Sequence, residues 1–172
     1  MRNELPQRRS VRLQLFDYGA AGDYFITVCT YEQRECFGHI RNGVMCLNAL
    51  GALVWDEWQK TFEKRVDFSA GAFIVMPNHW HGIVCITRKP EEIYSEDRIE
   101  VFGGSKKDTL ATMLKGMKAA VTSRADKEYD FAGKLWQRGF YDHVVRDAAA
   151  YEIIDHYIRN NPGKWQDDCF HP

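Results

Sequence analysis

A chain of 172 residues with 45% hydrophobic and 13% aromatic content is long enough for one domain with a substantial core and too short for two full ones. Its formal net charge of -1 excludes a globally positive field, so any nucleic-acid partner has to be held by local patches. The cysteines Cys29, Cys36, Cys46, Cys85 and Cys169 form no C-x-x-C pair, and neither a signal segment nor a membrane-spanning run stands out, so the sequence reads as a cytoplasmic protein with reduced thiols and no membrane partner.

Residues 1–22 form a polar lead in which Arg2, Arg8, Arg9 and Arg12 cluster, suited either to a solvated tail or to a phosphate-binding arm. Residues 24–30, rich in β-branched and aromatic side chains, read as a buried strand. Arg41-Asn42-Gly43 between the apolar stretches 36–40 and 44–47 predicts a small accessory hairpin, because Asn-Gly supplies the left-handed turn conformation that tight hairpins need. Asn48 is a suitable N-cap for a helix that buries Leu50, Val54, Trp58 and Phe62 and ends near Arg65. Its aromatics, at helical spacing, read as core and not as a stacking platform.

A strand over 73–75, a tight turn at Pro77-Asn78 and a returning strand over 79–86 make the next hairpin. From 88 to 107 the composition turns to charge and glycine, a long mobile loop inside one domain. Gly103-Gly104-Ser105-Lys106 lacks the spacing of a phosphate-binding loop. Asp108 or Thr109 can cap a second helix with the buried stripe Leu110, Met113, Leu114, Met117 and Val121. Lys115 and Lys118 flank that stripe and, with Lys106, Lys107 and Arg124, make the densest local positive patch, fitted to a nucleic-acid backbone or simply to solvent. A further strand is expected over 141–146, followed by a helix capped by Asp147 that stops at Asn160-Asn161-Pro162-Gly163. Strand, helix, strand, strand, helix, strand and a terminal helix is a split βαβ arrangement: a ferredoxin-like α+β fold with helices on one face of an antiparallel sheet.

Two features carry chemistry. In a strand, His79 and His81 project from one face and Trp80 from the other, so the two imidazoles can hold a metal ion together, although alone such a pair is more often two surface histidines beside a turn. In the terminal helix, Tyr157 and Asn161 are four residues apart and share a face. A tyrosine oxygen can attack phosphate and an amide oxygen can ligate a metal, although a lone aromatic on such a helix is more often a packing group.

These features recur together in a known family. The segments Met76-Pro77-Asn78-His79-Trp80-His81-Gly82 and His156-Tyr157-Ile158-Arg159-Asn160-Asn161-Pro162 resemble the histidine hairpin and tyrosine helix of the single-tyrosine HUH transposases, in particular the REP-associated tyrosine transposases. Arg8-Arg9-Ser10-Val11-Arg12-Leu13, Tyr24-Phe25-Ile26-Thr27-Val28-Cys29-Thr30 and Leu135-Trp136-Gln137-Arg138-Gly139-Phe140-Tyr141-Asp142-His143 match as well, in the expected order. The resemblance implies one HUH domain over 1–172, with His79, His81 and Asn161 as metal ligands and Tyr157 as nucleophile. Many relatives carry glutamine at the third-ligand position, where this chain has the shorter Asn161. Tyr141 and Tyr151 are rival tyrosines, but Val145 and Asp155 follow them four positions on.

The implied activity is metal-dependent nicking and rejoining of single-stranded DNA near hairpins through a 5′-phosphotyrosine link, with Arg8, Arg9, Arg12, Lys115 and Lys118 gripping the DNA backbone. Two imidazoles and an amide bring no negative charge, so Mg²⁺ or Mn²⁺ is expected to bind weakly until a DNA phosphate completes its shell. His143 and His156 read as hydrogen-bonded structural or surface groups ahead of extra ligands or proton shuttles. Two other classes stay open: a non-catalytic hairpin-DNA-binding protein of the same fold, and a metal-dependent hydrolase that uses water. A homodimer also stays open, and in one the Tyr157 helix could serve either chain's histidines.

Overall fold

The computed structural model describes residues 20–87 and 109–171. Arg8, Arg9, Arg12, Lys106, Lys107 and the expected 88–107 loop lie outside the described residues. The strands are β1 (Gly22–Cys29), β2 (Gly38–Arg41), β3 (Val44–Leu47), β4 (Phe68–Val75), β5 (His79–Ile86) and β6 (Tyr141–Val145); the helices are α1 (Ala49–Glu63), α2 (Leu110–Tyr129) and α3 (Ala148–Asn160). A short 3-10 segment, Asn161–Asp167, follows α3 directly.

Four strands form one sheet in the order β4-β5-β1-β6, every neighbouring pair antiparallel, and β2-β3 is a separate hairpin. This is the expected ferredoxin-like α+β plan, since the helices α1 and α2 connect strands that are not adjacent in the sheet. The hairpin turn uses Asn42 and Gly43 at φ 53° and 72°, the left-handed pair expected of Asn-Gly. The helix starts follow their caps: Asn48 Oδ1 accepts from the Gly51 amide at 2.9 Å and Asp147 Oδ1 from the Ala150 amide at 2.8 Å. Between the two candidate caps of α2, Thr109 takes the role, in a reciprocal box with Thr112. Strand β4 begins five residues earlier than the sequence suggests, because its register slips between Ala70 and Phe73 and the slip breaks the alternation that marks a strand.

The sheet has two differently used faces. Tyr24, Ile26, Val28, Trp80 and Val84 point to one side and pack with Leu53, Val54, Trp58, Leu110, Met113 and Met117 of α1 and α2 into the main core. Trp58 stacks on Phe73 with ring centroids 4.3 Å apart and meets Trp80 edge-on at 5.4 Å. Gly82 makes room for this cluster, for a Cβ there would lie 2.7 Å from the Trp58 ring. Truncating Trp58 would cost about 3–5 kcal/mol. On the opposite side, Ile83 and Ala72 pack against Ile158, with Phe25, Ile74, Tyr151 and Ile154 around them. Thus α1 and α2 share a face, and α3 covers the other.

Arg124 does not contribute to a positive surface patch as the sequence suggested. It donates to Asp56, to Glu57 at 2.7 Å and to Glu128 at 2.7 Å, so its charge is spent clamping α2 to α1. No disulfide links the cysteines, and no helix among the described residues is long and apolar enough to cross a membrane.

Candidate metal and nucleophile site

The site is built on the α3 side of the sheet, where the strand alternation places His79, His81, Phe25 and Thr27. In the β1-β5 register, Thr27 pairs with His81 and Cys29 with His79. Both histidines are closed off, at 0% and 1% exposure, so they are not the surface pair that the motif alone allows. Each has a partner on Nδ1. His79 Nδ1 meets Asn78 Oδ1 at 2.8 Å, and His81 Nδ1 meets Thr27 Oγ1 at 2.8 Å. The Asn78 amide nitrogen donates to the carbonyls of Phe170 at 2.7 Å and Gln33 at 3.2 Å, which turns its oxygen toward His79. His79 Nδ1 therefore carries the proton, and its Nε2 presents a lone pair.

The two Nε2 atoms face each other at 3.0 Å. Two lone pairs at that distance repel unless a proton or a cation lies between them. Nitrogens sharing one ion at about 2.1 Å would stand about 3.0–3.4 Å apart, depending on the angle at the ion. Burial pushes His79 down to about 3, and burial reinforced by His79 holds His81 well below its ordinary value against the opposing pull of Asp168. Both imidazoles are neutral near pH 7, the form that ligates.

Helix α3 and the segment after it complete the site. The Tyr157 hydroxyl lies 3.3 Å from His81 Nε2, with the side chain 39% exposed. Burial, followed by the negative charge of Asp168, pushes Tyr157 up to about 12, while the Asn161 amide acts in the opposite direction. Asn161 is 2% exposed; its Nδ2 donates to Asp168 Oδ2 at 3.0 Å, and its Oδ1 is buried without a hydrogen-bond partner among the described residues. An orphaned buried oxygen costs roughly 1–3 kcal/mol, so Asn161 Oδ1 keeps a lone pair that a ligand could take up.

Asp168 is the group that sequence reasoning missed. Its carboxylate, one nitrogen of His79 and one of His81 lie within 4.8 Å of one another, so these three residues could hold a metal ion. Asp168 follows the Asn-Pro stop in an aperiodic stretch, and only the 3-10 turn Asn161–Asp167 brings it back over the histidines. The residues present thus fit a divalent cation through two imidazole nitrogens and a carboxylate. The same returning segment lays the Phe170 ring 4.8 Å from His79 and 5.8 Å from Tyr141.

An uncharacterized protein of Haemophilus influenzae is 36% identical over 168 residues, covering 94% of this chain and 91% of that one. The chain belongs to the same family as that protein. No protein-family model matches it. Among solved structures it is similar to a REP-associated tyrosine transposase bound to a REP hairpin, with TM-score 0.61 and 18% identity, over 92% of this chain and 74% of that one. This member of the Haemophilus protein's family thus has the fold of a REP-associated tyrosine transposase.

The remaining expected DNA contacts are set apart from the site. Lys115 and Lys118 lie on α2, across the sheet from the histidines. Lys115 is exposed, whereas the Lys118 ammonium donates to the carbonyls of Gln137 at 2.8 Å and Gly139 at 3.0 Å. Burial pulls Lys118 below the ordinary lysine value. It ties the approach to β6 onto α2 and does not present a free cation. His143 and His156 are exposed, as expected.

Proposed function

We propose that the chain is a metal-dependent enzyme that cleaves and rejoins single-stranded DNA near hairpins through a 5′-phosphotyrosine intermediate. The observation that carries this reading is that the Tyr157 hydroxyl lies 3.3 Å from His81 Nε2, which itself faces His79 Nε2 at 3.0 Å. The similarity in fold to a transposase that was solved bound to a REP hairpin supports hairpin DNA as the substrate class.

In this reading His79, His81 and Asn161 hold Mg²⁺ or Mn²⁺, and Asp168 joins them. A divalent ion held there would supply Lewis acidity toward charge developing on the scissile phosphate. Asn78 and Thr27 fix the ring orientations and keep both Nε2 atoms directed inward. The Tyr157 hydroxyl gives up its proton to solvent and its oxygen attacks phosphorus as the bond to the 3′ oxygen breaks. The departing 3′ oxygen takes a proton, and the tyrosine keeps the 5′-phosphate. A 3′-hydroxyl attacking that link reverses the step, so strands exchange without ATP. Asp168 is a ligand that the expected set of two imidazoles and an amide did not include. Its carboxylate brings one negative charge, so the ion should bind measurably before DNA arrives. Arg8, Arg9, Arg12 and Lys115 remain proposed backbone contacts; Lys118 does so less well, because its ammonium is already satisfied.

A second reading, a hairpin-DNA-binding protein without turnover, draws support from the Phe170 ring packed against His79. One experiment separates the two. Labelled single-stranded hairpin DNA is incubated with the protein and Mn²⁺ or Mg²⁺, then denatured. A covalent adduct that disappears in Tyr157→Phe and on chelation supports the enzyme; binding without any adduct supports the second reading.

A further inference from the structure

Beside the histidines, the β2-β3 hairpin and the Asn161–Asp167 segment face each other across a cavity of about 420 Å³. Gly43 at the hairpin tip comes close to the Gly163 backbone, since a Cβ there would lie 3.6 Å from the Gly163 Cα. The side chains around it include Glu35, His39, Asn42, Trp165, Gln166 and His171. Trp165 belongs to both places: its ring stands 6.0 Å from that of His79 and 4.9 Å from that of His171. The cavity is therefore one indole away from the proposed scissile phosphate.

Its chemistry discriminates among the parts of a nucleic acid. Among the described residues no lysine or arginine lines it, and Glu35 would repel a phosphate, so the sugar-phosphate backbone is a poor occupant. Asn42 and Gln166 carry amides that can pair in bidentate fashion with a base edge, Glu35 can accept from an exocyclic amino group, and imidazoles can stack on a base. The volume lies within the roughly 300–1,000 Å³ usual for small-ligand pockets. We infer that this cavity receives one unpaired base of the DNA strand next to the cleavage position and prefers an amino-bearing base over thymine. This inference rests on the DNA-processing reading above and adds a specificity pocket to it.

The test uses a pool of single-stranded hairpin DNAs with randomised bases flanking the stem, incubated with full-length protein and Mn²⁺. Covalent adducts are recovered and sequenced. Wild type should enrich amino-bearing bases at one position, and Asn42→Gly with Gln166→Ala should flatten that preference by roughly tenfold. Glycine keeps the left-handed conformation of residue 42, so the hairpin turn is preserved. An unchanged preference in the double variant, or none in wild type, overturns the pocket while leaving the adduct chemistry intact. If wild type forms no adduct, the enzyme reading fails separately. The same pool is then selected by binding: a base preference lost in the double variant supports the pocket, and one that is absent or retained overturns it.

Discussion

Within a single chain, the hydroxyl of Tyr157 lies 3.3 Å from Nε2 of His81, although 76 residues separate them. Helix α3 can bring its tyrosine to its own histidines because it packs on the sheet face from which they project, anchored by Ile158 against Ala72 and Ile83. No partner subunit is needed to assemble the proposed site. Mixing Tyr157→Phe with His81→Ala should therefore fail to restore adduct formation, and restoration would indicate exchange of α3 between chains.

Asp168 should set the affinity for the ion. Asp168→Asn keeps the side-chain size and removes the charge, so Mn²⁺ binding measured by titration calorimetry without DNA should weaken tenfold or more. Because Asp168 also helps to push Tyr157 upward, the same substitution should lower the Tyr157 value from about 12, read as the difference titration against Tyr157→Phe.

The groups that hold the histidines should matter without touching the ion. Thr27→Val preserves the β-branched shape in β1 and removes the 2.8 Å bond to His81 Nδ1. Metal affinity should fall by roughly 10–100-fold, with the strand retained by circular dichroism.

Stability of the metal-free protein should decline in acid. Both imidazoles sit below the ordinary 6.5 in the folded state, His79 at about 3, so the unfolded chain binds more protons between those values. Their contribution is fully present above about pH 6.5 and is lost as pH falls toward 3, by up to about 1.4 kcal/mol per pH unit for each ring. Urea midpoints at pH 7, 5.5 and 4.5 (about one and two units below 6.5) should fall steadily, and His79→Gln should flatten the trend.

Lys118 and Lys115 should separate structure from surface. Lys118→Met strands the carbonyls of Gln137 and Gly139 and should destabilise the fold by about 1–3 kcal/mol. Lys115→Ala, at an exposed position, should leave the melting temperature unchanged.

What the sequence revealed follows from where its signals are local. Strand alternation suffices to put His79 and His81 together and Trp80 opposite, and Asn48, Asp147 and Asn42-Gly43 announce their caps and turn because the relevant hydrogen bonds and dihedrals lie within a few residues. The start of β4 was hidden by the slip at Ala70 and Phe73, which interrupts the period of two. The amphipathic stripe of α3 shows that it packs, but no stripe says on which face of the sheet. Arg124 and Lys118 are visible as charges, while their partners, Glu57 and the carbonyls near Gly139, lie far along the chain or in irregular backbone. Asp168 is invisible for the same reason: its role depends on the 3-10 turn Asn161–Asp167, which has no periodic signature.

The most direct test of the central claim is the covalent adduct itself. Hairpin-bearing single-stranded DNA, labelled on the strand that would retain the 5′-phosphate, is incubated with Mn²⁺ and run under denaturing conditions, and peptide mapping locates the attachment. The proposed mechanism predicts a DNA-linked peptide containing Tyr157, absent in Tyr157→Phe and after chelation. A cleaved strand with no protein attached, or an adduct on Tyr141 or Tyr151, would contradict it.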